Sequence, residues 1–245
     1  MQTVSQRLKQ ALRRLLGKPQ APAVIAQHPF DVTHGVDTSG LLHPAELGTS
    51  HGNSAHVTAY FGVPPSRFRT AIARWQATPG TLPVEQVRLI DVGCGKGRAV
   101  LLAAETGFRD VVGVELYRAL AAVAERNLAT WQRQRLRTLS PTTILCTDAA
   151  TALPGLLGGA TLLYVYNPFR APVLRDVLQA LLRRHASLTA PLDFLYLYPE
   201  HEAVFQEFPA FQRLWHEEIA LDADDAGDGL SSATDPCSLY RLTPL

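Results

Sequence analysis

From residue 87 onward the chain alternates short apolar runs with longer segments of helical length. Val87, Leu89, Ile90 and Val92 form the first run, which stops abruptly at three glycines; a second run, residues 99–104, follows at helical length. The pattern predicts strands near residues 87–92, 111–115, 143–147, 161–166 and 192–198, and helices near 97–106, 117–135, 149–157 and 171–187. Pro199 closes the fifth strand, and a helix near 200–208 follows it. Residues 211–221 and 236–242 then read as two further strands, joined by an acidic loop containing Asp222, Asp224, Asp225 and Asp228. Regular alternation of apolar strands with helices implies an α/β fold on a parallel sheet covered on both faces.

The preceding residues are patterned differently. Residues 4–16 read as a short amphipathic helix with Val4, Leu8, Ala11, Leu12, Leu15 and Leu16 on one side, and residues 17–22 end it as a linker. Such a helix can lie on an anionic membrane surface or dock a partner; the plain alternative is a helix packed on the domain or a basic tail. Residues 23–82 carry few strand signals: 30–40 are rich in turn formers, and 64–75 read as a helix with an early proline.

Composition narrows the class. At 245 residues, 47% hydrophobic and 18% charged, the chain can bury a full core in one domain with room for an accessory segment. No run approaches the roughly 20 apolar residues that span a bilayer, and nothing near the N-terminus reads as a secretory signal. Cys94, Cys146 and Cys237 share no metal-like spacing, so they read as reduced thiols of a cytoplasmic protein without a zinc site. Residues 1–20 carry Arg7, Lys9, Arg13, Arg14 and Lys18 and no acid, so the other 225 residues sum to −4 against a total of +1. That balance suits a broad nucleic-acid surface poorly, although it leaves room for a local basic groove.

Candidate chemistry concentrates at Asp91-Val-Gly93-Cys94-Gly95-Lys-Gly97, a strand, tight turn and helix that let backbone N–H groups approach a ligand. A second strand ends in Glu115, 18 residues after Gly97, where a ribose needs an acceptor for its hydroxyls. These residues resemble the class I S-adenosylmethionine-dependent methyltransferases. Their first motif is matched by Asp91, Gly93, Gly95 and Gly97, and the acidic end of their second strand by Glu115. The third-strand Asp with a small residue after it is matched by Asp148 and Ala149, and the substrate-facing fourth strand by residues 162–169. The competing dinucleotide fingerprint, Gly-x-Gly-x-x-Gly, fits less well: the third glycine comes one position early and Arg98 stands where glycine is required.

The resemblance implies a doubly wound, Rossmann-like sheet, mostly parallel with an antiparallel C-terminal strand pair, plus an N-terminal helical/loop lid. It divides the chain into a basic helix over 1–20, a lid and substrate segment over 21–82 and a catalytic domain over 83–245. S-adenosylmethionine is the implied cofactor. Gly93, Cys94, Gly95 and Gly97 would form its loop, and Asp91 would take the ammonium. Glu115 would accept the ribose hydroxyls, and Asp148 with the Ala149 N–H would read adenine.

Tyr166-Asn167-Pro168-Phe169 resembles the Asn/Asp-Pro-Pro-aromatic motif of methyltransferases acting on planar nitrogens, with the Asn side chain and a backbone carbonyl accepting the N–H bonds. One proline replaces two, which leaves the register of carbonyl and aromatic open; a strand-ending turn is the plain alternative. The implied acceptor is a nitrogen of a protein or small molecule. A non-catalytic cofactor-binding module and an RNA methyltransferase remain as alternatives, the latter resting on Arg67, Arg69, Arg74 and the N-terminal cations forming one basic face.

Lys96 and Arg98 read as solvated residues of the turn. Tyr117 reads as either an adenine neighbour or the start of a surface helix. Asp37, Thr38, Ser39 and Tyr60 belong to the candidate lid, residues 28–70. The histidines there (His28, His34, His43, His51, His56) lack ligand-pair spacing and read as loop and surface residues.

Overall fold

The computed structural model describes residues 27–48, 51–135, 138–222, 225 and 231–244. The helix expected over 4–16 and most of the acidic loop lie outside these residues. The chain enters through α1 (Pro29–His34), ended by Gly35 in the left-handed conformation that glycine adopts most cheaply. A two-stranded hairpin of β1 (Leu41–Leu42) and β2 (Tyr60–Phe61) follows, then α2 (Pro65–Gln76), which has proline in its first turn.

The main domain alternates β3 (Arg88–Val92), α3 (Arg98–Ala104), β4 (Asp110–Glu115), α4 (Arg118–Gln134), β5 (Thr142–Cys146), α5 (Ala149–Leu156), β6 (Thr161–Tyr166), α6 (Ala171–Leu182) and β7 (Leu192–Leu197). It closes with β8 (Gln212–Ala220) and β9 (Thr234–Leu242). The seven strands are ordered β5-β4-β3-β6-β7-β9-β8; β3 to β7 run parallel, and β9 is antiparallel to both β7 and β8. This is the α/β sheet that the alternation implied, in the Rossmann-like form with an antiparallel pair at one edge that the family resemblance implied.

Every predicted strand forms, within two residues at each end. The helix expected over 200–208 is instead a 3-10 segment, Glu202–Glu207, and the one over 171–187 stops at Leu182, with a separate 3-10 turn at His185–Ser187. β9 starts two residues earlier than expected, at Thr234. Pro236 is tolerated there because it lies past the last residue paired with β7, where the Tyr198 N–H donates to its carbonyl.

Strand alternation places the core on both faces. Along β6, Leu162 and Tyr164 face the layer of α2, α3 and α4, whereas Leu163 and Val165 face α5 and α6. Two buried ion pairs tie α2 and the C-terminal strands together. Arg67 pairs with Asp235, and Asp193 accepts from Arg241 Nε at 2.6 Å and from the Trp75 indole at 2.7 Å. Each charge there is tolerated because its partner is buried with it. These contacts also consume two of the arginines that an RNA-binding face would need: Arg67 is buried, and Arg74 is held by both oxygens of Glu217.

Candidate active site

The sheet reverses its winding between β3 and β6, and the carboxyl ends of these strands open a crevice where ligands bind in folds of this type. β3 delivers Asp91, and the chain then turns through Gly93, Gly95 and Gly97, all at positive φ. The Gly93 and Cys94 N–H groups hook onto the Val114 carbonyl, and Gly97 caps the start of α3. β4 ends at Glu115, whose Oε2 accepts from the Gly95 N–H and whose Oε1 accepts from the Tyr117 N–H, both at 2.8 Å. Past β5, Asp148 caps α5 by accepting the Thr151 N–H at 3.0 Å.

Asp91, Glu115 and Asp148 thus arrive from three strand ends and line one cavity, with Gly93, Cys94, Gly95, Ala149, Tyr166, Pro168 and Phe169. The cavity holds about 100 Å³ of interior space and opens to solvent. Gly97 and Asn167 lie outside its lining. Gly97 backs onto Ala124 of α4. Asn167, at φ +44°, directs its side chain to Glu200 and to the Tyr196 hydroxyl, both at 3.3 Å.

Electrostatics single out Asp91. Its carboxylate is buried and receives no hydrogen bond from a described residue. Burial, reinforced by the charge of Glu115, pushes its pKa up to about 8. Burial also raises Glu115, opposed by the N–H groups of Tyr117 and Gly95. An unfolded aspartate titrates near 3.9, so the native state holds a proton that the unfolded chain gives up in between. Asp91's contribution to stability is therefore fully present below about pH 4 and is lost as pH rises to about 8. Urea titrations from pH 4 to 9 should show the native chain losing stability over that window relative to Asp91→Asn; parallel profiles would refute it.

The N-terminal segment covers this site. The Val57–Phe169 bridge, the Thr58 N–H to the Pro168 carbonyl and the Arg170 N–H to the His56 carbonyl lay residues 56–58 along the Asn167 loop. The Thr58 hydroxyl donates to the Asn167 carbonyl at 2.5 Å. The Tyr60 ring packs on Gly95, and Pro168 packs on Gly93, so closely that a Cβ at either glycine would overlap them. Asn53 Nδ2 donates to Asp148 at 2.7 Å.

Two residues read as solvated are not. Arg98 is buried, donating to Thr38 Oγ1 at 2.6 Å and to the Gly62 and Val63 carbonyls at 3.2 Å, with Asp31 at 3.8 Å. Asp31 in turn accepts from the Thr38 and Ser39 N–H groups. Lys96 bonds Asp37 and the Ser39 carbonyl. Sequence reasoning missed this anchor because it links residues some 60 positions apart. It also missed Asn127 of α4, which ties the Asp37 backbone to the Lys96 carbonyl.

The expectation of surface histidines fails for His28, which is buried and caps α1; His51 caps the 3-10 turn Gly52–His56. Tyr117 both precedes α4 and lines the cavity. Among the described residues, no group of three or more His, Cys, Asp or Glu could hold a metal ion, and no helix is long and apolar enough to cross a membrane.

No protein-family model and no curated protein matches the chain. Solved structures do. The Escherichia coli protein yhhF, provisionally named a methyltransferase, superposes with a TM-score of 0.50 at 16% identity over 73% of this chain and 88% of its own. The ribosomal protein L11 methylase of Lactobacillus delbrueckii gives 0.44 at 15% identity over 71% and 77%. The methyltransferase domain of bacterial CtHen1-C gives 0.48 at 14% over 73% and 98%. At this identity the yhhF likeness speaks for the fold, which is the seven-strand Rossmann-like fold of such proteins.

Proposed function

We propose that this chain is an S-adenosylmethionine-dependent methyltransferase acting on a nitrogen of a protein or small molecule. One observation carries the reading: Asp91, Glu115 and Asp148, each at a different strand end, line a single cavity beside a glycine turn. The donor set fits the cofactor. Asp91 is a buried carboxylate with no cation beside it among the described residues and would take its ammonium. Glu115 is already held by two amides with its oxygens toward the loop and would take the ribose hydroxyls. Asp148 and the Ala149 N–H would take the adenine edge, with Gly93, Cys94, Gly95 and Gly97 shaping the turn between them.

When bound, S-adenosylmethionine supplies an electrophilic methyl group on a sulfonium. The chain's own residues have to hold the acceptor in line with it and exclude water. Phe169, Tyr166 and Pro168 form an apolar wall of the cavity. The Asn167 carbonyl is occupied by the Thr58 hydroxyl, which an acceptor N–H would have to displace. A nitrogen held through its N–H groups keeps its lone pair free for the methyl, so positioning suffices without a dedicated base.

The test is transfer of labelled methyl groups from S-adenosylmethionine to amine-containing small molecules and proteins. A base-stable methylated amine is expected. Label released by mild base as methanol marks an oxygen ester and overturns the nitrogen assignment.

A specific observation favours a second reading, a cofactor-binding module without turnover: residues 56–58 lie along the Asn167 loop and occupy its carbonyls. Tight cofactor binding with no transfer to any acceptor would support it. The RNA reading draws no support from Arg67 or Arg74, whose charges are spent within the fold.

A further inference from the structure

We infer that Asn53, a lid residue, is a second reader of the adenine ring beside Asp148, an assignment that rests on the cofactor reading above. Asn53 stands in the 3-10 turn Gly52–His56, where its own N–H donates to His51 Nδ1 at 3.2 Å. That turn presents its side chain to the cofactor cavity, and Nδ2 donates to Asp148 Oδ2 at 2.7 Å. Asp148 Oδ1 is taken by the Thr151 N–H, so Asn53 sits on the oxygen that remains for a ligand. Asn53 and Asp148 line both the cavity and a neighbouring polar groove that also holds Asp176, Gln179 and Arg183.

The chemistry of the two side chains is complementary. A carboxylate only accepts, and each of its oxygens can take two hydrogen bonds. Asp148 can therefore hold Asn53 and still accept an exocyclic amino group. Asn53 keeps its Oδ1 and the second Nδ2 hydrogen without a partner among the described residues. An acceptor and a donor side by side in one amide plane form the pattern that pairs bidentately with adenine N6 and N7. A purine carrying oxygen at position 6 would instead face two acceptors, Asp148 and Asn53 Oδ1, and be rejected by both.

Calorimetry on the full chain tests this with S-adenosylhomocysteine and its inosyl analogue, in which oxygen replaces the adenine amino group. The wild type is expected to prefer the adenosyl compound. Asn53→Ala should lose about tenfold or more in adenosyl affinity while the inosyl compound changes less than about twofold, narrowing the preference. Asn53→Asp, which keeps the shape but swaps the donor for an acceptor, should lose at least as much. A lid residue with a purely structural role would weaken both ligands equally; that result, or no change in either, overturns the assignment. Absence of adenosyl binding to the wild type would instead sink the cofactor reading itself, and this proposal with it.

Discussion

Glu115→Ala is expected to lower S-adenosylhomocysteine affinity by at least about 100-fold. A carboxylate accepting two ribose hydroxyls makes two charge-assisted hydrogen bonds, each worth about 1.5–3 kcal/mol, and tenfold in affinity corresponds to about 1.4 kcal/mol. The same carboxylate clamps the glycine turn by accepting the Gly95 and Tyr117 N–H groups, so its loss also frees the loop. Glu115→Gln keeps the size but only one acceptor oxygen, so one of the two amides loses its partner; it should lose about tenfold in affinity and melt between the alanine variant and the wild type. Calorimetry gives the affinities, and a thermal melt reports the fold. Unchanged affinity in Glu115→Ala would remove Glu115 from the site and with it the ribose assignment.

Arg98→Leu should be the most destabilising single change near the site. Arg98 is buried and is the cation beside Asp31, a fully buried carboxylate of α1 that accepts the Thr38 and Ser39 N–H groups. Removing one partner of a buried pair costs about 3–5 kcal/mol because the other charge is left uncompensated. For a chain of this size that corresponds to a melting-temperature drop of roughly 6–20 °C. The same change releases the Gly62 and Val63 carbonyls, so the lid should become protease-sensitive before the sheet does. Asp31→Asn added to Arg98→Leu should recover part of the loss, because the orphaned charge is then gone. A melting temperature within about 2 °C of the wild type in Arg98→Leu would show that Arg98 does not anchor the lid.

These two residues stand at opposite ends of what local reasoning can reach. Glu115 is legible in the sequence because its position follows from strand length: an apolar run of fixed period ends, and the next residue emerges at the sheet's edge beside the preceding turn. Asp91, one residue short of the end of β3, and Asp148, two residues past the end of β5, follow from the family resemblance rather than from strand length. Arg98 is legible in neither way. A charged residue at the head of a helix reads as solvated, and what buries it is a turn 60 residues upstream in the sequence. The direction of the Asn167 side chain was equally out of reach, since it depends on Glu200 and Tyr196 of the neighbouring strand end.

Alternating apolar runs were enough to establish the α/β sheet with its parallel core, because that feature depends on near-neighbour periodicity, which a sequence displays directly. The antiparallel edge and the three candidate carboxylates as a set followed instead from the resemblance of the glycine turn and acidic strand ends to a known family. The folded chain alone decided how the lid meets the site: Asn53 on Asp148, Tyr60 on Gly95, and Thr58 on the Asn167 carbonyl, with sequence separations of up to 109 residues. Contacts of that span depend on where the sheet carries each strand end, and no local spacing encodes them.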